Sequence, residues 1–276
     1  MLINNLLPGD ALRDFIRFYR IIHFNFEKEI VPLHNVKAYR PRIEHCLQFT
    51  PFDDERVTYN GEPHPSCSTA LFGQHTVLTN RKVGKTFLNF QVVFQPGALY
   101  VLLKDSLQML TNVYAPAGLF FNQMIMDVNE QLAGCTGYQQ MVSVVEAALT
   151  RLFQKVKRNM HPVCAVAREM LLACDQKEIG WYAGQCNLCI RQFNRMFAMQ
   201  TGVAPADYRN LVRLDKAYLL KNRNPLKDGL SLAMESGFYD YQHLSKNYKK
   251  YYGCSPAAFY LLEQKSPERS FGYYEQ

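Results

Sequence analysis

Two runs of the sequence set hydrogen-bond donors at helical spacing. In the first, Arg191, Asn194, Arg195 and Ala198 fall at i, i+3, i+4 and i+7; in the second, Gln242, Ser245, Lys246 and Lys249 repeat that spacing. Neither face carries an acid. A guanidinium bonds both acceptors of a guanine edge, an amide pairs with adenine, and lysine or serine suits guanine or a phosphate. A merely solvated helix face usually mixes Glu with Lys, so two all-donor faces predict contact with double-stranded DNA.

The elements that must carry these faces are written twice. QFNRMFAMQTGVAP at 192–205 returns as HLSKNYKKYYGCSP at 243–256, and the register is strict. Phe193 pairs with Leu244, Arg195 with Lys246, Phe197 with Tyr248, Gly202 with Gly253, Pro205 with Pro256 and Tyr208 with Phe259. Upstream the repeat continues with a one-residue slip, Ala183 answering to Ala233. The expected inward stripes are Ile190, Phe193 and Phe197 in the first copy, and Leu244, Tyr248 and Tyr251 in the second. A shorter apolar helix precedes each copy through a glycine-bearing turn, which is the sequence form of a helix-turn-helix. Gly202 and Gly253 suit helix C-termini, and Pro205 and Pro256 suit the first turn of the next helix. Between the copies, Leu211, Leu214, Tyr218 and Leu219 form one stripe of a long joining helix over 208–222.

On RLDKAYLL (213–220) and LAMESGFYDYQHLSKNYKKYYGCSP (232–256), residues 161–260 resemble the C-terminal DNA-binding domain of the AraC/XylS family of bacterial transcription regulators. The resemblance implies two helix-turn-helix units whose recognition helices enter successive major grooves on one DNA face. By position it implies base reading by Arg191, Asn194 and Arg195 and by Gln242, Ser245 and Lys246, with Lys249 and Lys250 on phosphate. Family habit also favours an activator that contacts RNA polymerase and forms a homodimer through its N-terminal half. Four positions depart from the family pattern. Cys189 replaces the Ser that starts the recognition helix, Gly229 an Ile or Val, Leu244 a Phe, and Lys246 an Arg whose bidentate fork lysine lacks.

The first hundred residues read differently. HCLQF (45–49), RVTYN (56–60), STALFG (68–73) and FLNFQVVF (87–94) are strand-like runs punctuated by turn residues. The pattern turns helical near Leu107, and 138–157 forms an amphipathic helix with Val142, Val145, Leu149 and Leu152 on one side. FGQHT (72–76) and FQVVFQPGALYVLL (90–103) loosely resemble the domain found in front of such DNA-binding modules. The expected fold class is therefore α+β: a β-rich, cupin-like N-terminal domain with helices, then an all-α domain of two helix-turn-helix units joined by a long helix. The boundaries are 1–158 for a sensor or dimerisation domain, 159–262 for DNA binding and 263–276 for a polar tail.

Charge follows that division. Residues 1–150 hold 12 basic and 13 acidic side chains, and residues 151–276 hold 19 and 11, so all of the +7 excess lies in the second half. Arg40 and Arg42 around Pro41 are candidate contacts for an anionic small-molecule effector, set against plain surface arginines. Phe49, Phe87, Phe90 and Phe94 suit either a ligand pocket or core. Asp53–Asp54–Glu55 reads as a solvated turn. Cys186 and Cys189 form a C-x-x-C without a second pair, and no cupin-type set of histidines with Glu surrounds Gly73–Gln74–His75, so no metal, cofactor or catalytic group is expected. The eight cysteines of this 276-residue chain read as reduced thiols. No apolar run approaches the roughly 18 residues of a membrane span, and MLINNLLPGD lacks a leader pattern, so a cytoplasmic protein is expected. The rival reading is a ligand-sensing or enzymatic β domain with a helical protein-interaction module. The charge division and the donor faces weigh against it.

Overall fold

The computed structural model describes residues 2–25, 36–52, 55–59, 62–64, 66–154, 156, 160–172 and 177–270. The described residues of the first region hold ten strands: β1 Leu2–Leu6, β2 Ile16–Asn25, β3 Val36–Tyr39, β4 Cys46–Phe49, β5 Arg56–Tyr59, β6 Glu62–Pro63, β7 Thr69–Phe72, β8 Thr79–Lys82, β9 Thr86–Phe94 and β10 Tyr114–Pro116. They form two antiparallel sheets, one ordered β1-β2-β9-β4-β7-β10 and the other β3-β8-β5-β6. The helices of this region are α1 Ala98–Leu103, which precedes β10, and α2 Gln123–Ala133 and α3 Tyr138–Phe153, which follow it. The eight remaining helices are α4 Pro162–Leu172, α5 Ile179–Gln185, α6 Ile190–Thr201, α7 Pro205–Arg223, α8 Gly229–Glu235, α9 Tyr241–Tyr252, α10 Pro256–Glu263 and α11 Pro267–Ser270. The chain is thus a β-rich region with helices followed by an all-α region, as expected. No helix among the described residues is long and apolar enough to cross a membrane.

Strand parity sorts the first region into two interiors. Leu88, Phe90, Val92 and Phe94 of β9, with Leu47 and Phe49 of β4 and Tyr19 and Ile21 of β2, pack against α1–α3. Their neighbours turn into the space between the sheets, where Cys46, Val57, Ala70, Phe72, Val93 and Tyr114 cluster. A register shift in β2 between Ile16 and Phe18 reverses the alternation, so Ile16 joins the helix side while Phe18 faces inward. Of the four phenylalanines read as pocket or core, Phe49, Phe90 and Phe94 are core, and Phe87 lines a cavity between the sheets.

That space is strongly polar. Arg20 grips Glu44 with both guanidinium ends (Nη2–Oε1 2.6 Å, Nη1–Oε2 3.0 Å), and its Nη1 donates to Gln91 at 2.9 Å. Burial pushes the Glu44 carboxyl up, but Arg20 and Arg42 outweigh it and hold it at about 2. Arg81 pairs with Glu55 at 3.5 Å and lies 3.7 Å from the Tyr39 ring centre. Glu55 also accepts from Gln48 Nε2 at 2.7 Å and is 4% exposed, which corrects the solvated turn for that residue. Asp53 and Asp54 lie outside the described residues.

The two regions pack together. Ile43, from the segment after β3, sits in the same hydrophobic core as Tyr182, Phe197, Leu214 and Tyr218. Arg40 is buried there, its Nη1 2.9 Å from Asp215 and its guanidinium 4.0 Å from the Tyr218 ring centre. Lys37 meets Glu268 of α11 at 2.5 Å, within the segment read as a polar tail; residues 271–276 lie outside the described residues. Residues 157–159, where the domain boundary was expected, also lie outside them, and α3 ends at Phe153 rather than 157.

Candidate nucleic-acid interface

Each donor face stands on a helix held by a buried stripe. In α6, Phe193 and Phe197 are fully buried, and Phe197 meets Tyr208 edge-on with ring centres 5.1 Å apart. Tyr208 in turn donates its hydroxyl to the Ala167 carbonyl at 3.0 Å, fixing α7 to α4. In α9, Leu244 and Tyr248 are buried, and Tyr252 packs on Phe259 with centres 4.6 Å apart. Ile190 does not join the first stripe: it stands at the first helical position and is 54% exposed. The inward turn of α6 begins at Phe193, because the first turn projects beyond the core.

Arg191, Asn194 and Arg195 are exposed on α6, and Gln242 and Lys246 on α9, with Ser245 half-buried. The structure therefore gives each unit one outward face composed of the residues read from spacing. Gln192 is exposed beside them, and its Oε1 accepts from the Cys189 backbone N–H at 3.3 Å. At the other helix start Asp240 caps directly, accepting from the His243 N–H at 2.6 Å. Lys249 is exposed at the end of α9.

Lys250 is otherwise engaged: its Nζ lies 2.6 Å from Asp207 at the start of α7, which also accepts from the Tyr251 hydroxyl at 2.6 Å. Burial raises the Asp207 carboxyl, yet the hydrogen bonds from Lys250 and Tyr251 outweigh it and hold the group below its usual range. This tie joins the linking helix to the second recognition helix. The sequence marks it only by two charges 43 residues apart.

Both recognition helices end on a left-handed glycine, Gly202 at φ +85° and Gly253 at φ +71°. At Gly202 a side chain would also strike the first region. Its Cβ would lie 3.1 Å from Thr111 Oγ1 and 3.2 Å from the Leu107 carbonyl, and Thr111 donates to the Gly202 carbonyl at 2.6 Å. The linking helix α7 spans 19 residues, about 28 Å at 1.5 Å per residue.

The two effector candidates part company. Arg42 lines the cavity between the sheets, whereas Arg40 turns to Asp215 and Tyr218. The rest of that cavity went unread in the sequence: Lys37 and Arg81 stand on its polar side, and Ile22, Phe24 and Phe87 on its apolar side. The available signal was an arginine among the isoleucine and aromatic residues of a strand, as at Arg20 in IRFYRIIHFN.

Two helix-turn-helix units on one chain, joined by the 19-residue helix α7, define a double helix-turn-helix module. Residues 182–260 match the family model described as a helix-turn-helix domain. Over 85 residues it is 31% identical to the HTH-type transcriptional regulator MtrA of Neisseria gonorrhoeae, a match that covers 31% of this chain. The chain spans 28% of the length of that curated relative. Among solved structures, it is similar to a single-residue variant of apo ToxT of Vibrio cholerae (TM-score 0.47, 8% identity), over 88% of this chain and 97% of that one. It is also similar to the DNA-binding domain of AdpA in complex with a target DNA (TM-score 0.34, 23% identity), over 38% of this chain and 95% of that one.

Proposed function

We propose that the protein is a sequence-specific DNA-binding transcription regulator of the cytoplasm, an activator whose two recognition helices read adjacent major grooves. The observation that carries this reading is the pair of outward, acid-free donor faces, Arg191–Asn194–Arg195, all exposed, and Gln242–Ser245–Lys246, exposed except for the half-buried Ser245. The joining helix of about 28 Å supports it, being of the order of the roughly 34 Å turn that separates successive major grooves. Contact with RNA polymerase and homodimer formation belong to the same proposal. A site-selection experiment on the full chain tests it: a bipartite consensus should emerge, and affinity should fall steeply with added salt. Retention of random sequences alone would sink the reading.

Regulation enters through the N-terminal domain, by an effector or partner. The cavity between the sheets suits an effector that offers an acceptor to Arg81, whose Nε and Nη2 are buried without a hydrogen-bond partner among the described residues. Its body would lie on Ile22, Phe24 and Phe87. A thermal-shift screen of carboxylate-bearing and neutral metabolites separates this from control by a protein partner.

A further inference from the structure

Gly229, a departure from the family pattern, has a physical counterpart twelve residues on. A Cβ built on Gly229 would lie 2.7 Å from both Cδ2 and Cε2 of Tyr241, closer than side chains approach one another. The Tyr241 ring therefore occupies the place where a side chain at 229 would stand. Gly229 opens α8 and Tyr241 opens α9, so the contact joins the starts of the two helices of the second unit.

The repeat supplies the comparison. With the slip that sets Ala183 against Ala233, Gly229 answers to Ile179, and in the strict register Tyr241 answers to Ile190. In the first unit Ile179 packs partly buried against the core, and Ile190 is 54% exposed. The second unit makes this matched pair unequal: no side chain at the start of the first helix, and a large ring at the start of the recognition helix. Tyr241 remains 42% exposed.

We infer that Tyr241 is a positioning residue for base reading by the second unit, its ring seated over Gly229 so that the first turn of α9 holds Gln242, Ser245 and Lys246 toward the DNA. The inference rests on the DNA-reading proposal above. Tyr241 acts through its ring carbons, so the hydroxyl is dispensable. A side chain at 229 must displace the ring, and a residue at 241 smaller than tyrosine makes room for it.

The test uses the full chain and three duplexes: the selected site, and versions scrambled in the first or the second half. Gly229→Ile should lower discrimination against the second-half scramble about tenfold while leaving first-half discrimination unchanged. The double variant Gly229→Ile with Tyr241→Ile, which installs the first unit's pair, should restore it. Tyr241→Phe should match the wild type on all three duplexes. Unchanged second-half discrimination in Gly229→Ile overturns the inference, as does a double variant no better than the single one. Uniform weakening by Tyr241→Phe also overturns it, making the hydroxyl a phosphate contact. Should Gly229→Ile fail to fold, the double variant decides: folding with second-half discrimination supports the pair, and folding without it refutes it. A wild type that distinguishes none of the duplexes refutes the DNA-reading proposal instead.

Discussion

Among the donor side chains, Arg195 shares its guanidinium with Arg191 alone. It stands exposed in the second turn of α6, and its guanidinium presents a planar fork to a base edge. Lys246, at the matching place on α9, offers a point charge and no fork. Arg195→Ala should therefore relax the preference at a single base position by ~1–3 kcal/mol, seen as one degenerate column in a repeated site selection. Lys246→Ala should have a flatter effect, and Lys249→Ala should weaken binding to all sequences alike while reducing the salt slope by about 1. An even loss over every sequence in Arg195→Ala would move that residue to the phosphate class. Lys250 is held by Asp207 at 2.6 Å, so its removal should act on the α7–α9 junction as well as on the proposed DNA contact.

The two recognition helices also differ in how they start. Asp240 caps with a carboxylate oxygen at 2.6 Å, whereas Cys189 caps with a sulfur, in a capping box closed by Gln192 at 3.3 Å. Asp240→Ala should then cost about 1 kcal/mol, and Cys189→Ser should stabilise by a similar amount, both measured by denaturant unfolding of the full chain. An unchanged stability in Cys189→Ser would mean that the sulfur already caps well. These helices were legible because their partners are near in sequence: caps at three residues, core positions at three and four, and a repeat to confirm both. The sheets were legible only in part. β2 escaped notice because the irregularity at Ile16–Phe18 breaks its alternation, and the ion pairs that identify the inter-sheet space join residues 24 and 26 apart with no local mark. Ile190 was misplaced for a related reason, since periodicity assigns a face but not the point where the core ends.

At the scale of the whole molecule, the N-terminal region grips the first recognition helix at its C-terminal end through Thr111 and Gly202, and grips α7 through Arg40. His45 lies in the same seam, in a small cavity with Glu44, Thr201 and Tyr208. Burial lowers its ring to about 4, although a hydrogen bond to the Thr201 backbone works the other way. His75 is lowered further, to about 3, by burial and then by Arg81. A histidine held neutral in the fold but titrating near 6.5 when unfolded binds its proton first in the unfolded chain. Its contribution is thus complete above pH 6.5 and lost as pH falls toward its folded value. The buried Glu44 works in the same direction at lower pH: its contribution is present above about 4.5 and lost as pH falls toward 2. Stability should accordingly decline from pH 6.5 to 4, each histidine adding up to about 1.4 kcal/mol per pH unit. His45→Gln should remove one histidine's share of that slope, and an unaltered slope from pH 7 to 4.5 in urea unfolding would show that the seam does not hold His45 neutral. Because α6 is part of the seam, first-half discrimination on DNA should weaken before second-half discrimination as the pH is lowered through this window.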